Sequence, residues 1–587
     1  MMKRYNSLLW QKGVISLDEF INKARLSLAH ADHLGAISAL AACTGIFVGL
    51  IVSLFRLSIE TIQIMFLAAG DPENYEALIS ITRLILPIIG ATVLIVIAKL
   101  FRTQMRVGVM HVMERMAYHE GHLPFKPMLF QFISGAVAII SGFSVGREGP
   151  SIHLGAATSS LLGQRLRLPN NAIRSLVACG VAAAIAASFN TPLAGVIFAM
   201  EVILMEYTII GFTPIIIASV SATVIHYLIF GDDTVFSVPA FALQNIWELG
   251  LIIFLGFLIG LQSTCFIVLT RRITAFASKY SLTIRYLSAG ILVGLIGSFV
   301  PEVMSLGYDT VNLSIAGKIG LFTLLLIIVF KLIATSISIG LGIPAGLIGP
   351  SLFMGAITGS SFGLIVAQFV GDTSAYGFYA ILGMGAMMGA TLQAPLAALL
   401  AVLELTGNLN SILPGMLAII SAHLFCRSLF KQESIFISQS RQLGLDYRHD
   451  PLSQSLRRVA VMSVVNTSCA LVQESLPRKA CETIAESNPE WLIIRRDNGN
   501  LLMPTLDLAR YLVENEDDEI VFTEIPSKRL ELLPVSEEST LEHAKHLLDD
   551  SEADALYVIR RLSASADKIF GVITSADIEK SYRIKSN

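Results

Sequence analysis

Apolar residues run along the first three-quarters of the chain in long blocks broken by Gly and Pro, and the pattern then changes to short alternating stretches. The blocks begin at His33–Leu57, Leu84–Leu100 and Met128–Val145. They continue at Ala172–Ala187, Ile209–Phe230, Leu249–Leu269 and Leu287–Val300, and close with Ile319–Ile339, Pro350–Val370, Ala375–Leu405 and Ile412–Phe430. A bilayer span needs about 20 apolar residues, and several blocks are shorter or interrupted. The pattern predicts more than ten membrane helices, some of which do not cross fully. From about Arg457 it reads instead as helix at Ala544–Leu548 and strands at Ala555–Arg560 and Phe570–Thr574.

The apolar blocks are duplicated. GREGPSIHLGA (Gly146–Ala156) matches GLIGPSLFMGA (Gly346–Ala356), and AAIAASFNTPLAGVIFAMEV (Ala183–Val202) matches AMMGATLQAPLAALLAVLEL (Ala386–Leu405). The second match places Pro192 on Pro395 and Glu201 on Glu404. The chain divides into an amphipathic segment at 1–34, repeats at 35–235 and 236–440, a linker at 441–455 and a soluble region at 456–587. Matched Gly/Pro interruptions in two halves mark a transporter's midplane binding site.

Charge follows the same division. Mean hydropathy is +0.67 and 15% of residues are charged, yet the stretch Pro451–Asn587 alone holds 16 Lys+Arg and 23 Asp+Glu. No basic cluster points to nucleic acid. Six cysteines show no CxxC pair, so neither disulfides nor a metal site is expected. Lys3, Arg4, Lys12, Lys23 and Arg25 precede the first apolar block, and Ser16–Glu19 reads as a helix start, which suggests a cytoplasmic surface helix.

A helix that starts inside a bilayer exposes unbonded N–H groups at the positive end of its dipole. Such an end attracts an anion without the full positive charge that would hold it too tightly. Gly lets backbone approach closely, and Pro fits the first turn because it needs no N–H partner. Both GREGP and GLIGP have this form. Glu148 stands out, because a carboxylate at membrane depth is expensive and by default functional, and the other repeat has Ile348 there. Ionised, it can occupy the anion's place; protonated, it is free to swing away. The plainer alternative is an ion pair with Arg147.

These residues resemble the CLC family of chloride channels and proton-coupled chloride exchangers. GREGP matches the family's G(K/R)EGP segment, FNTPLAGVIFAME and LQAPLAALLAVLELTGN its Pro-containing helices, and GLIGP its looser GxFxP segment. The resemblance implies an all-α polytopic inverted-repeat fold and a homodimer with one pore per subunit, with Glu148 as the gating acid. It also implies a multi-pass protein of a bacterial inner or cell membrane with both termini in the cytoplasm. Chloride would be held by backbone around Val107, Gly108 and Val109, around Gly146, Arg147 and Gly149, and around Gly346, Leu347 and Ile348.

Three departures from the family pattern follow. The family's GSGIP segment reads Arg106–Met110 here, with Val107 in place of the serine. Phe436 stands where the pore tyrosine would be, so both hydroxyl donors are missing. The inner proton-carrying glutamate is replaced by Val202. That last change favours a passive gated channel, with a proton-coupled antiporter, or a carrier of fluoride or nitrate, as the alternative. Duplicated Glu201 and Glu404 suit a structural role at helix ends, and His153 a packing or capping one. HExxH is absent, and no nucleophile, base and metal ligands converge in the pattern, so no enzyme is expected. A sensor whose membrane part no longer conducts is the alternative of another class.

In the soluble region, GVITSADI resembles the end of a CBS domain, an α/β module. A weaker copy ends in Pro504-Thr505-Leu506-Asp507, giving halves at about 456–515 and 528–585. Thr574 and Asp577 stand where nucleotide-binding members contact ribose. An adenine nucleotide site and a purely structural dimerising module are equally open, and no cofactor is required.

Overall fold

The computed structural model describes residues 34–67, 72–101, 106–207, 209–231, 236, 247–370, 375–445, 455–496, 499–551, 553–563 and 566–583. The amphipathic segment expected before Leu34 lies outside these residues, as does most of the expected linker. Among the described residues the chain forms two compact units, one within 37–164 and 174–445 and the other within 34–36, 165–173 and 455–583.

The larger unit is helical. Its first half holds α1 (Leu34–Phe66), α2 (Ser80–Leu100), α3 (Val109–Tyr118), α4 (Phe125–Ile140), α5 (Glu148–Arg165), α6 (Asn170–Phe189), α7 (Pro192–Phe198) and α8 (Ile209–Phe230). Its second half holds α9 (Glu248–Ala277), α10 (Leu282–Phe299), α11 (Tyr308–Ile315), α12 (Leu321–Gly340), α13 (Ile348–Val370), α14 (Ala375–Leu392), α15 (Pro395–Thr406), α16 (Ile412–Leu424) and α17 (Ile435–Gln442). Among the described residues nine helices are long and apolar enough to cross a membrane, and four shorter apolar ones accompany them. At 1.5 Å per residue the 33 residues of α1 reach about 50 Å, so this helix outruns a hydrocarbon core of about 30 Å.

The duplication extends to backbone angles. Asn190 (φ 60°) and Gln393 (φ 55°) both sit in the left-handed region. The following residues, Thr191 (φ −125°, ψ 74°) and Ala394 (φ −125°, ψ 72°), cap α7 and α15, each of which starts with Pro. The expected single block Ala375–Leu405 is therefore two helices. A left-handed residue cannot continue α14, and Pro395, needing no N–H partner, opens α15. Helix packing repeats too: Gly155 on α5 lies on the Gly180 carbonyl of α6, and Gly355 on α13 lies on the Gly383 carbonyl of α14. A Cβ at any of the four would strike backbone, so close crossing of these helix pairs depends on small residues.

The smaller unit is α/β. Its strands are β1 (Cys469–Val472), β2 (Ser475–Pro477), β3 (Trp491–Ile494), β4 (Asn500–Pro504), β5 (Glu519–Val521), β6 (Leu530–Ser536), β7 (Ala555–Ser563) and β8 (Ala566–Thr574). Six form one sheet in the order β1-β3-β4-β6-β7-β8. With α18 (Arg478–Glu486), α19 (Thr505–Glu514), α20 (Leu541–Asp550) and α21 (Ser575–Arg583), the unit is two β-α-β-β-α halves. In each half the first two sheet strands pair parallel and the last two antiparallel; the halves join antiparallel through β4 and β6. Strand alternation sorts the core: Leu492 and Ile494 pack with Cys481 and Leu508, while Ile493 faces the other way with Leu502, Leu532 and Val572.

Candidate functional site

The two Gly-rich helix starts meet. Gly146 donates its N–H to the Gly346 carbonyl (2.7 Å) and Gly346 donates back to Gly146 (2.8 Å), a two-residue antiparallel bridge between the repeats. A Cβ on Gly149 would run into Gly346 Cα, so glycine is what lets the two starts touch. The backbone N–H groups of Glu148, Gly149, Leu347 and Ile348 have no acceptor among the described residues, as expected for first-turn groups.

Glu148, buried at 1% exposure, begins α5 but places its carboxylate on the facing helix start. Gly349 donates its N–H to Glu148 Oε2 (3.0 Å) and the Tyr308 hydroxyl donates to Glu148 Oε1 (2.6 Å). The carboxylate thus takes two donors where α13 begins, at the positive end of that helix's dipole. On its other side, a small apolar pocket is lined by Glu148 with Phe189, Phe198, Ile348, Leu352 and Leu405.

Arg147 turns elsewhere. Its guanidinium lies 3.6 Å from Glu60, donates to the Ser188 carbonyl at 3.2 Å, and stands 5.5 Å from the centre of the Tyr308 ring. It helps hold the tyrosine rather than drawing the Glu148 carboxylate to itself. Tyr308 opens α11 and is fixed from a second direction, since its backbone N–H donates to Glu73 Oε2 at 2.7 Å. Glu73 and Glu76 lie on the loop between α1 and α2, where burial and the nearby Asp309 carboxylate push both up to about 7. Lys331 on α12 is fully buried and donates to the Val303 and Ser305 carbonyls at 3.1 and 3.0 Å.

Behind the helix starts is a cavity of about 240 Å³. Val107, Gly108, Val109, Gly149, Gly346, Leu347, Ile348 and Phe436 all line it, so eight positions scattered over the sequence come to one wall. Gly146, Arg147 and Glu148 lie outside that lining, and Ile348 borders both this cavity and the apolar pocket at Glu148. Val107 and Phe436 present no hydroxyl. Arg106 and Arg285 supply positive charge to the cavity; Arg106 is paired with Glu114 at 2.6 Å, and Arg285 Nε donates to the Leu341 carbonyl at 3.0 Å.

His153 sits behind the α5 start and meets His111 of α3 at 2.8 Å, while Arg115 donates to the far nitrogen of His111 at 3.1 Å. Because arginine only donates, His111 presents its Nδ1–H to His153. Val202 is buried at 5% exposure in a π-helical turn, Ala199–Leu204, that extends α7. In the smaller unit, Thr574 and Asp577 bond each other: the Thr574 hydroxyl donates to Asp577 Oδ2 at 2.7 Å, and Asp577 N–H points back to that hydroxyl at 3.4 Å. This closes a capping box at the start of α21.

Tyr308, Gly349, Glu60 and His111 were not singled out from sequence. Gly349 had a signal in the doubled motif, being the N–H one residue past Ile348. Tyr308 had none, because a tyrosine in a short polar helix looks like any packed aromatic.

A family model described as "Voltage gated chloride channel" matches residues 89–427. The chain is 34% identical over 326 residues to a putative chloride channel protein ClcB-like of Ralstonia nicotianae, covering 54% of this chain and 76% of that protein. It is 33% identical over 309 residues to the H(+)/Cl(-) exchange transporter ClcA of Vibrio cholerae, covering 51% and 66%. Among solved structures, a slow cyanobacterial Cl-/H+ antiporter aligns with TM-score 0.62 at 22% identity, over 70% of this chain and 99% of its own. A eukaryotic CLC transporter aligns with TM-score 0.56 at 18% identity, over 92% of this chain and 97% of its own. At those identities the shared property is the fold.

Proposed function

The chain belongs to the voltage gated chloride channel family, and on that premise we propose that it carries chloride across a membrane in exchange for protons. The observation that carries the reading is the Glu148 carboxylate resting on the Gly349 N–H, in the place of an anion. Ionised, Glu148 closes the path. Protonation removes its charge, weakens its hold on the N–H and hydroxyl donors, and lets the anion waiting at the Leu347–Ile348 backbone move up. The side chain then has a proton to release on the side where it is next ionised, which couples the two fluxes.

The lean toward passive conduction gives way here to the alternative, supported by the Vibrio relative named as an H(+)/Cl(-) exchanger. A gated channel stays as the second reading because Val202 occupies the expected inner acid's position. We place the protein as a homodimer in a bacterial inner membrane, with both termini cytoplasmic and the β-α-β-β-α pair serving as a CBS module. The absent hydroxyls at Val107 and Phe436 leave backbone N–H groups as the main central ligands, which favours weak and broad anion selectivity.

Purified protein in liposomes tests the reading. An imposed chloride gradient is expected to drive protons uphill, and Glu148→Ala to abolish that movement while chloride still flows. Chloride flux with no proton movement in the unaltered protein would establish the channel instead.

A further inference from the structure

We infer that Tyr308 is an anion ligand of the outer position, taking over the hydroxyl role that Val107 and Phe436 cannot fill; this rests on the transport reading above. The Tyr308 oxygen is 2.6 Å from Glu148 Oε1 and the Gly349 N–H is 3.0 Å from Oε2. A charged acceptor is therefore already held between one phenol and one backbone N–H, the donor pair a small anion needs. Tyr308 is 6% exposed, and its ring is held 5.6 Å from Phe236, edge-on, with Phe189 at 6.5 Å. With Arg147 beside the ring and Glu73 on its backbone N–H, the phenol cannot follow the carboxylate when Glu148 leaves. Its O–H would then be buried without an acceptor, a costly state that an arriving anion relieves.

The charged groups facing the Tyr308–Glu148 pair are Arg147 and Glu73 directly, and Glu60 with its partner Arg56 through Arg147. Asp309 and Lys331 lie behind Glu73. None of the acidic groups can donate to an anion while ionised, and the terminal nitrogens of Arg147 are turned to Glu60 and the Ser188 carbonyl; the phenol is the side-chain donor already on the carboxylate.

The test uses full-length protein with Tyr308→Phe in two backgrounds. With Glu148→Ala, where the carboxylate is gone, Tyr308→Phe is expected to raise the chloride Kd about tenfold, read by calorimetry. With Glu148 intact, it is expected to raise chloride flux severalfold at fixed pH, because the blocking carboxylate has lost one of its two donors. An unchanged Kd in the Glu148→Ala background overturns the assignment and leaves Tyr308 a positioning residue for the carboxylate. No chloride binding or flux in Glu148→Ala itself would overturn the transport reading, and the assignment with it. Bromide in crystals of the single Glu148→Ala variant gives a readout independent of how the tyrosine variant folds. Anomalous density beside the Tyr308 oxygen is expected, and density confined to the Leu347–Ile348 backbone overturns the assignment.

Discussion

Glu404 caps the helix that carries Glu201, and Glu201 caps the helix that carries Glu404. Leu193 and Ala194 at the start of α7 donate to Glu404 at 2.8 Å each, and Leu396 and Ala397 at the start of α15 donate to Glu201 at 3.3 and 2.9 Å. Each repeat thus closes the other's broken helix with a carboxylate at the positive end of its dipole. Two charge-assisted bonds at each end tie the halves together.

Removing one clasp should loosen the fold before it touches transport. Glu404→Ala leaves two donors without a carboxylate and is expected to cost about 1.5–3 kcal/mol, read as a lowered unfolding temperature in detergent. Glu201→Ala should behave alike. Equal melting of variant and parent would show that the clasps carry no stability.

Gly349 offers a way to displace Glu148 without changing it. A Cβ there would come within 2.9–3.2 Å of the Glu148 carboxylate, and its nearest neighbours all belong to that one movable side chain. Gly349→Ala is therefore expected to raise chloride flux at neutral pH severalfold and to flatten its pH dependence. Flux that keeps the parent's pH profile would place the gate elsewhere.

Stability should itself depend on pH through the α1–α2 loop. Glu73 and Glu76 are raised from 4.5 to about 7 in the folded protein, so the native state holds protons that the unfolded chain releases. The stability they lend is complete below about pH 4.5 and lost as pH rises through 7. Glu73→Gln is expected to raise the unfolding free energy at pH 8 by about 1–2 kcal/mol after screening at its partly exposed edge, read as a higher unfolding temperature, and to do nothing at pH 4.5. An effect equal at both values would contradict the titration.

In the smaller unit Thr574→Ala opens the capping box of α21 at a cost of about 1 kcal/mol. Faster hydrogen exchange across residues 575–583 is expected, with Thr574→Ser restoring protection. Unchanged exchange would show that the box is ornamental.

The repeats, the two helix starts and Glu148 were legible in sequence because each leaves a local trace: a doubled motif, a Gly-Pro break, a charge among apolar residues. The reciprocal clasp was half legible, as duplicated acids at helix ends, although their exchange between repeats depends on how the halves face each other. Tyr308 was not legible. It lies 160 residues from Glu148, and its value comes from a hydroxyl direction set by Glu73, Arg147 and two phenylalanines. The break inside Ala375–Leu405 was hidden because hydropathy does not register one left-handed residue at Gln393. Thr574 and Asp577 keep the spacing of a ribose contact, yet that spacing is also the spacing of a helix cap.

The backbone bridge between Gly146 and Gly346 reaches beyond local geometry. A seesaw in which one half tipped against the other at this point would have to break both bonds. The halves are yoked where their helix starts meet. On the transport reading proposed above, passage is left to a doorkeeper one side chain in size, while the walls of the corridor stay still.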